Sequence, residues 1–189
     1  MPLNSATIKS IQDIMRKDDG VDGDAQRIGQ LTWMLFLKIF DQCEETWEDD
    51  AADKGEKYDS PIPEESRWRN WAKYKVDAEG KKQPRIAASE LIRYVGDNVV
   101  DKLKAINPVS VVSTAGKPRK ANDDVQTAIN PIAKVVREVF EDTNNYMKSG
   151  TLMLGVIEKL DEAIDFHDIK SRGQLGMVYE QMLNDLRSA

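Results

Sequence analysis

Residues 31–40 read Leu31-Thr32-Trp33-Met34-Leu35-Phe36-Leu37-Lys38-Ile39-Phe40, and this stretch decides the fold. Eight of its ten side chains are apolar, and on a helix they cover every side instead of one stripe. Such a helix cannot leave a face in water, so it belongs at the centre of a bundle. Asp22 or Asp24 supplies its start, and its end lies near Trp47. Beyond Trp47 the chain turns acidic and enters a loop, 48–62, marked by Gly55 and Pro61, with Pro63 directly after it.

The flanking segments supply partners for that helix. Ile8, Ile11, Ile14 and Met15 recur at helical spacing over 5–16, behind Ser5 as a cap. Residues 64–74 predict a short aromatic helix carrying Trp68, Trp71 and Tyr74. The segment 75–86 is turn-rich and reads as a small hairpin or a loose loop. Ser89 caps a predicted helix 90–106, with Leu91, Val95, Val99, Leu103 and Ile106 on one stripe. Residues 107–123 form a long basic connection, and Val109 to Val112 is its β-rich run. Asn130 and Pro131 form an N-cap and first-turn pair for a helix to about Tyr146. Further helices are predicted over 152–163 and 172–187, the last with Leu175, Val178, Tyr179, Met182 and Leu186 on one face. The fold class is all-α: a bundle of six or seven helices with a long basic connection and at most a minor β-hairpin.

The chain has 189 residues, of which 32% are charged, with a formal net charge of -6. That length suits one domain spanning 1–189. Cys43 is the only cysteine, which excludes an internal disulfide framework and a Cys-rich metal site. His167 is the only histidine, which removes every two-histidine metal motif. No run approaches the ~20 apolar residues of a membrane helix. The opening MPLNSATIKS lacks the basic start and apolar stretch of a secretory signal, so a cytoplasmic protein is expected.

Charge is strongly segregated. From Asp41 to Glu65 there are eleven acidic residues and two lysines; from Arg67 to Arg85, seven basic residues face two acidic ones. From Lys102 to Lys120 there are five basic residues and no acid. An acidic chain repels nucleic acid at long range unless it presents a locally positive face. Two clusters offer one: Lys73, Lys75, Lys81, Lys82 and Arg85, and then Lys117, Arg119 and Lys120. The alternative is that these runs are solvated loops or pair with the acidic stretch.

No glycine-rich phosphate loop or nucleophile elbow is present. Asp165 and Asp168 beside His167 make a polar connection, without the positioned partner that a general base needs. Acidic neighbours raise the thiol of Cys43 and argue against a reactive thiolate. The acidic group Glu44, Glu45, Glu48, Asp49 and Asp50 lacks the loop of a hard-cation site and reads as a solvated helix end. Trp68 and Trp71 read as core, with the neighbouring basic side chains reaching outward.

Four blocks carry a family resemblance. GDAQRIGQLTWMLFLKIFDQCEETWE, containing Leu31 to Lys38, resembles the opening helix of the modification subunit of type I restriction–modification systems. IPEESRWRNW, from Ile62 to Trp71, resembles that family's Pro-Glu-x-x-Arg-Trp block. VVREVFEDTNNYMKSGTLMLGVIEKLDEAIDF resembles its Ile-Arg-x-Val-Phe segment and the helix that follows. RGQLGMVYEQMLNDLRSA, with Leu175 to Leu183, resembles its Leu-Gly-x-(Val/Leu)-Tyr-Glu helix.

The resemblance implies an N-terminal helical domain, with the catalytic methyltransferase domain expected C-terminal to Ala189. It implies a parent subunit that transfers a methyl group from S-adenosylmethionine to adenine N6 of double-stranded DNA, on a base flipped from the stack. The implied partners are the specificity subunit, a second modification subunit, the restriction subunit and double-stranded DNA, with no membrane. Within 1–189 the resemblance carries over no catalytic, cofactor-binding or metal residue. Asn107-Pro108 and Asn130-Pro131 are followed by Val109 and Ile132, and are not the family's Asn-Pro-Pro motif. The domain's expected share is to help enclose DNA; the alternative is a protein–protein assembly module that does not touch DNA.

Overall fold

A computed structural model of the chain describes residues 5–111 and 127–163. The predicted helix 172–187, His167, and the cluster Lys117, Arg119 and Lys120 lie outside the described residues. The described architecture is mostly helical, as expected from the sequence. Helix α1 is Ser5–Met15 and α2 is Asp24–Asp53. A 3-10 turn, Glu64–Ser66, leads into the one-turn helix α3, Trp68–Trp71. Strands β1 (Lys75–Val76) and β2 (Lys82–Gln83) form an antiparallel hairpin. Ala88–Tyr94, Val95–Val100 and Asp101–Lys104 run on as one rod, α4. Strands β3 (Val109–Val111) and β4 (Thr127–Ile129) pair antiparallel, with Val109 opposite Ile129. Helices α5 (Pro131–Phe140) and α6 (Gly150–Ala163) complete the described set.

The core forms around α2, where every apolar side chain of 31–40 is at most 2% exposed. Trp33 stacks on Trp71 with ring centroids 6.4 Å apart, and meets Phe140 of α5 at 6.2 Å. Phe36 also meets Phe140 at 6.2 Å, and Trp68 meets Trp71 edge-on at 5.2 Å. Both tryptophans of 64–74 are therefore core, as the sequence indicated. Helices α1 and α4 pack on α6, burying Ile8, Ile11 and Met15 from one and Leu91, Val95 and Val99 from the other. The close approach of α4 to α6 depends on Gly150: a Cβ there would fall 1.8 Å from the Ala88 carbonyl oxygen.

Several boundaries differ from the sequence reading. Helix α2 extends six residues past Trp47, through Ala51 and Ala52, and reverses at Gly55 with φ of 69°. The predicted helix 90–106 begins at Ala88 with Ala87 at its cap, so Ser89 lies inside it. Its middle third is π-wound, and Asp101 N–H donates to the Gly96 carbonyl five residues back. Within that winding the Asn98 carbonyl accepts from the buried Ser66 hydroxyl. Asn130 caps α5 as expected, accepting from Ile132 and Ala133 N–H at 3.0 and 3.1 Å.

Helix α5 stops at Phe140 instead of Tyr146, because distant side chains hold 141–149 in a non-helical path. Gln30 of α2 accepts from Tyr146 N–H (2.8 Å) and donates to Asn145 (3.0 Å). Asp18, buried in the turn after α1, accepts from Lys148 and Ser149 N–H at 2.9 Å each, which supplies acceptors just before α6.

Leu35→Ala is expected to cost about 2–5 kcal/mol, since it removes a fully buried side chain from the central helix. Chemical denaturation measures this; an unchanged midpoint would show that Leu35 faces water.

Candidate nucleic-acid interface

The basic run 67–85 splits into two parts with opposite fates. Arg67 and Arg69 turn inward onto α2. Arg69 donates from Nε to Asp41 Oδ1 (2.7 Å), from Nη1 to Glu48 Oε2 (2.6 Å), and from Nη2 to the Asp41 carbonyl (3.0 Å). Arg67 Nη1 donates to Glu48 Oε1 at 3.2 Å. Burial pulls the Arg69 guanidinium down, but Asp41 and Glu48 hold it well above its ordinary value, so it stays charged.

This arrangement corrects the reading of the acidic group as a wholly solvated helix end. Asp49 and Asp50 are exposed, but Glu44 is fully buried and Glu48 is paired. Pairing Asp41 and Glu48 with arginines relieves repulsion among the carboxylates that crowd the second half of α2. Burial first, and then Glu44, push the Cys43 thiol up to about 11, in line with an unreactive side chain.

The lysines stay outside. Lys75, Lys81 and Lys82 are exposed on the β1–β2 hairpin. Among the described residues none of these, nor Arg85, is ion-paired. Lys73 approaches Glu45 only to 3.8 Å, with its side chain 57% exposed. Arg85 is half-buried and donates from Nε to the Lys73 carbonyl (2.8 Å), which ties the two ends of the hairpin together. Asp77 organises the turn: Oδ1 accepts from Lys81 N–H (2.7 Å) and Glu79 N–H (3.2 Å), while Oδ2 accepts from Gln83 (3.0 Å). Gly80 closes it at φ of 80°. The structure thus brings Lys73, Lys75, Lys81, Lys82 and Arg85 onto one short ribbon, while Lys117, Arg119 and Lys120 lie outside the described residues.

A cavity of about 350 Å³ lies beneath the hairpin, lined in part by Tyr74, Val76, Lys82, Trp68 and Glu158. Its floor is Lys38, whose Nζ meets Asp161 Oδ1 of α6 at 2.6 Å. Trp68 Nε1 donates to the same oxygen at 3.1 Å, and the ammonium sits 5.9 Å from the Trp68 ring centre. Sequence reasoning passed over this pair. A lone cation inside an all-apolar stretch was the available signal, because buried lysines are kept only when paired.

Among the described residues no group of three or more His, Cys, Asp or Glu side chains is placed to hold a metal ion. No helix among them is long and apolar enough to cross a membrane. What the described surface offers chemically is a set of free cations on a braced ribbon. Fold and site together define a helical scaffold carrying a basic hairpin.

Comparison places that scaffold in a family. Residues 4–160 match the HsdM N-terminal domain, and the chain belongs to that family. It is 44% identical over 186 residues to the type I restriction enzyme EcoEI methylase subunit of Escherichia coli, covering 98% of this chain and 32% of that protein. It resembles the solved modification subunit of a type I restriction enzyme from Vibrio vulnificus YJ016 (TM-score 0.57, 26% identity, 96% of this chain and 34% of that one). It also resembles a chain from a type I R-M system solved to explain complex assembly and conformational transition (TM-score 0.59, 27% identity, 95% of this chain and 29% of that one). The chain therefore spans about a third of the length of these relatives.

Asp161→Asn is expected to cost about 1–3 kcal/mol, since Lys38 is left buried without its counter-charge. Asp161→Ala should cost more, because the Trp68 indole then also loses its acceptor. Urea denaturation of both variants checks the order; wild-type stability in both would mean that the pair is solvated.

Proposed function

We propose that this chain is the N-terminal helical domain of a modification subunit of a type I restriction–modification system, and that its hairpin 73–85 meets the phosphates of double-stranded DNA. The single observation that carries this reading is the sorting of the cations. Arg67 and Arg69 are engaged inside the fold, while Lys75, Lys81 and Lys82 are exposed and make no ion pair among the described residues, on a ribbon braced by Asp77 and Arg85, with Lys82 at the rim of the cavity. Exposed, unpaired lysines serve a polyanion through counterion release, independently of base sequence. The second cluster, Lys117, Arg119 and Lys120, is proposed to add to that interaction.

The parent subunit is proposed to transfer a methyl group from S-adenosylmethionine to adenine N6, in the cytoplasm. Its partners would be the specificity subunit, a second modification subunit and the restriction subunit. The relatives' descriptions as a methylase subunit and a modification subunit support that reading. The cofactor is proposed to bind outside this chain. The cavity beneath the hairpin is lined by more carboxylates (Asp41, Glu45, Glu158, Asp161 and Glu162) than lysines (Lys38, Lys73 and Lys82), which disfavours a cationic sulfonium ligand's carboxylate end, and no glycine is among its described lining residues. A second reading is an assembly module that does not touch DNA, favoured by the likeness to a system solved for its complex assembly.

In the reconstituted complex, changing Lys75, Lys81 and Lys82 to alanine is expected to weaken DNA binding by a similar factor on every sequence. The log–log salt slope should flatten by about 0.9 for each phosphate no longer neutralised. A Lys117, Arg119 and Lys120 triple-alanine variant tests the other cluster. Unchanged affinity and slope in both variants would leave the assembly reading. Calorimetric titration of the 189-residue chain with S-adenosylmethionine should show no saturable heat; binding near one to one would place the cofactor here after all.

A further inference from the structure

The ribbon β1–β2 has two faces, and its register assigns each side chain to one of them. Val76 stands opposite Lys82, and Lys75 opposite Gln83. Side chains directly opposite in an antiparallel pair share a face, and the next pair along lies on the other. Val76 and Lys82 line the cavity beneath the hairpin, whereas Lys75 and Gln83 are not among its lining residues. Lys75 and Gln83 therefore point away from the bundle. Asp77 and Lys81 continue that outer face. Asp77 N–H donates to the Lys81 carbonyl at 3.0 Å, and Gln83 Nε2 reaches Asp77 Oδ2 along the same side at 3.0 Å.

The two faces meet different charge. Glu45 of α2 and Glu158 and Glu162 of α6 line the cavity below Lys82, together with Asp41 and Asp161, which pair with Arg69 and Lys38. Lys73, the third lysine there, approaches Glu45 to 3.8 Å, and Glu162 meets Lys159 at 3.1 Å. A phosphate brought to Lys82 would be repelled by the surplus of carboxylates, which instead attract the ammonium itself. On the outer face the acid is Asp77, and its oxygens are engaged by Lys81 N–H, Glu79 N–H and Gln83. The bond to Asp77 uses one hydrogen of the Gln83 amide and orients the other, on an exposed side chain.

We propose that the ribbon meets DNA by its outer face alone. Lys75 and Lys81 neutralise phosphates, and Gln83 is a further, uncharged phosphate contact of the kind that fixes position without reading sequence. Lys82 is a seating residue, which holds the ribbon over the acidic cavity. This inference rests on the proposed DNA contact and adds which face makes it.

Salt titrations of the reconstituted complex on duplex DNA test it. Changing Lys75 and Lys81 together to alanine should flatten the log–log slope by about 1.8, for two phosphates no longer neutralised. Lys82→Ala should leave the slope where it is. Added charge gives a reading that does not depend on losing a contact. Gln83→Lys, on the outer face, should steepen the slope by about 0.9, and Val76→Lys, on the inner face, should not. Suppose the Lys75 and Lys81 variant flattens the slope as expected. A flatter slope in Lys82→Ala, a steeper one in Val76→Lys, or an unmoved one in Gln83→Lys would then overturn the face assignment and leave the DNA contact standing. No change in any of the four variants would remove the DNA contact itself, and this inference with it.

Discussion

A helix that is apolar on every side must be covered on every side, and this constraint organises the molecule. Residues 31–40 cannot be solvated without exposing eight large side chains, each contributing about 1.5–3 kcal/mol when buried. The cover comes from distant parts of the chain. Trp68 and Trp71 arrive on the one-turn helix α3, and Phe140 arrives on α5. The one cation in that stretch, Lys38, is kept because Asp161 of α6 reaches it across 123 positions of sequence. Packing and charge pairing thus join at the same helix.

The same helix also explains the sorting of charge. Its acidic C-terminal half needs counter-charge, and the arginines at 67 and 69 are the nearest that the fold can supply. Arginine suits the task, because its fork can bridge Asp41 and Glu48 at once. Lysines cannot match that geometry and remain where the hairpin carries them. The positive face is what the acidic segment leaves unspent.

The bundle was legible because its signals are local. The all-apolar run, the Ile8–Ile11–Met15 spacing and the Asn130-Pro131 cap each specify structure within a few residues. Trp68 and Trp71 were legible as core for the same reason. What could not be read were features set by remote partners. Glu44 looks like any helix-end glutamate until Tyr58 and Ser60 fold over it. The end of α5 at Phe140 depends on Gln30 and Asp18, more than a hundred residues away. The hairpin could be foreseen only as hairpin or loop, since the bracing by Asp77 is a property of the turn once formed. The basic side chains were identifiable as a group, but which of them are neutralised was decided by the fold.

The proposed contact of the ribbon 73–85 with DNA can be probed by a photo-crosslinking residue at Glu79, the exposed tip of the hairpin, in the assembled enzyme on duplex DNA. Adducts to DNA that fade as salt is raised are expected. Salt-insensitive adducts confined to another protein subunit would contradict it.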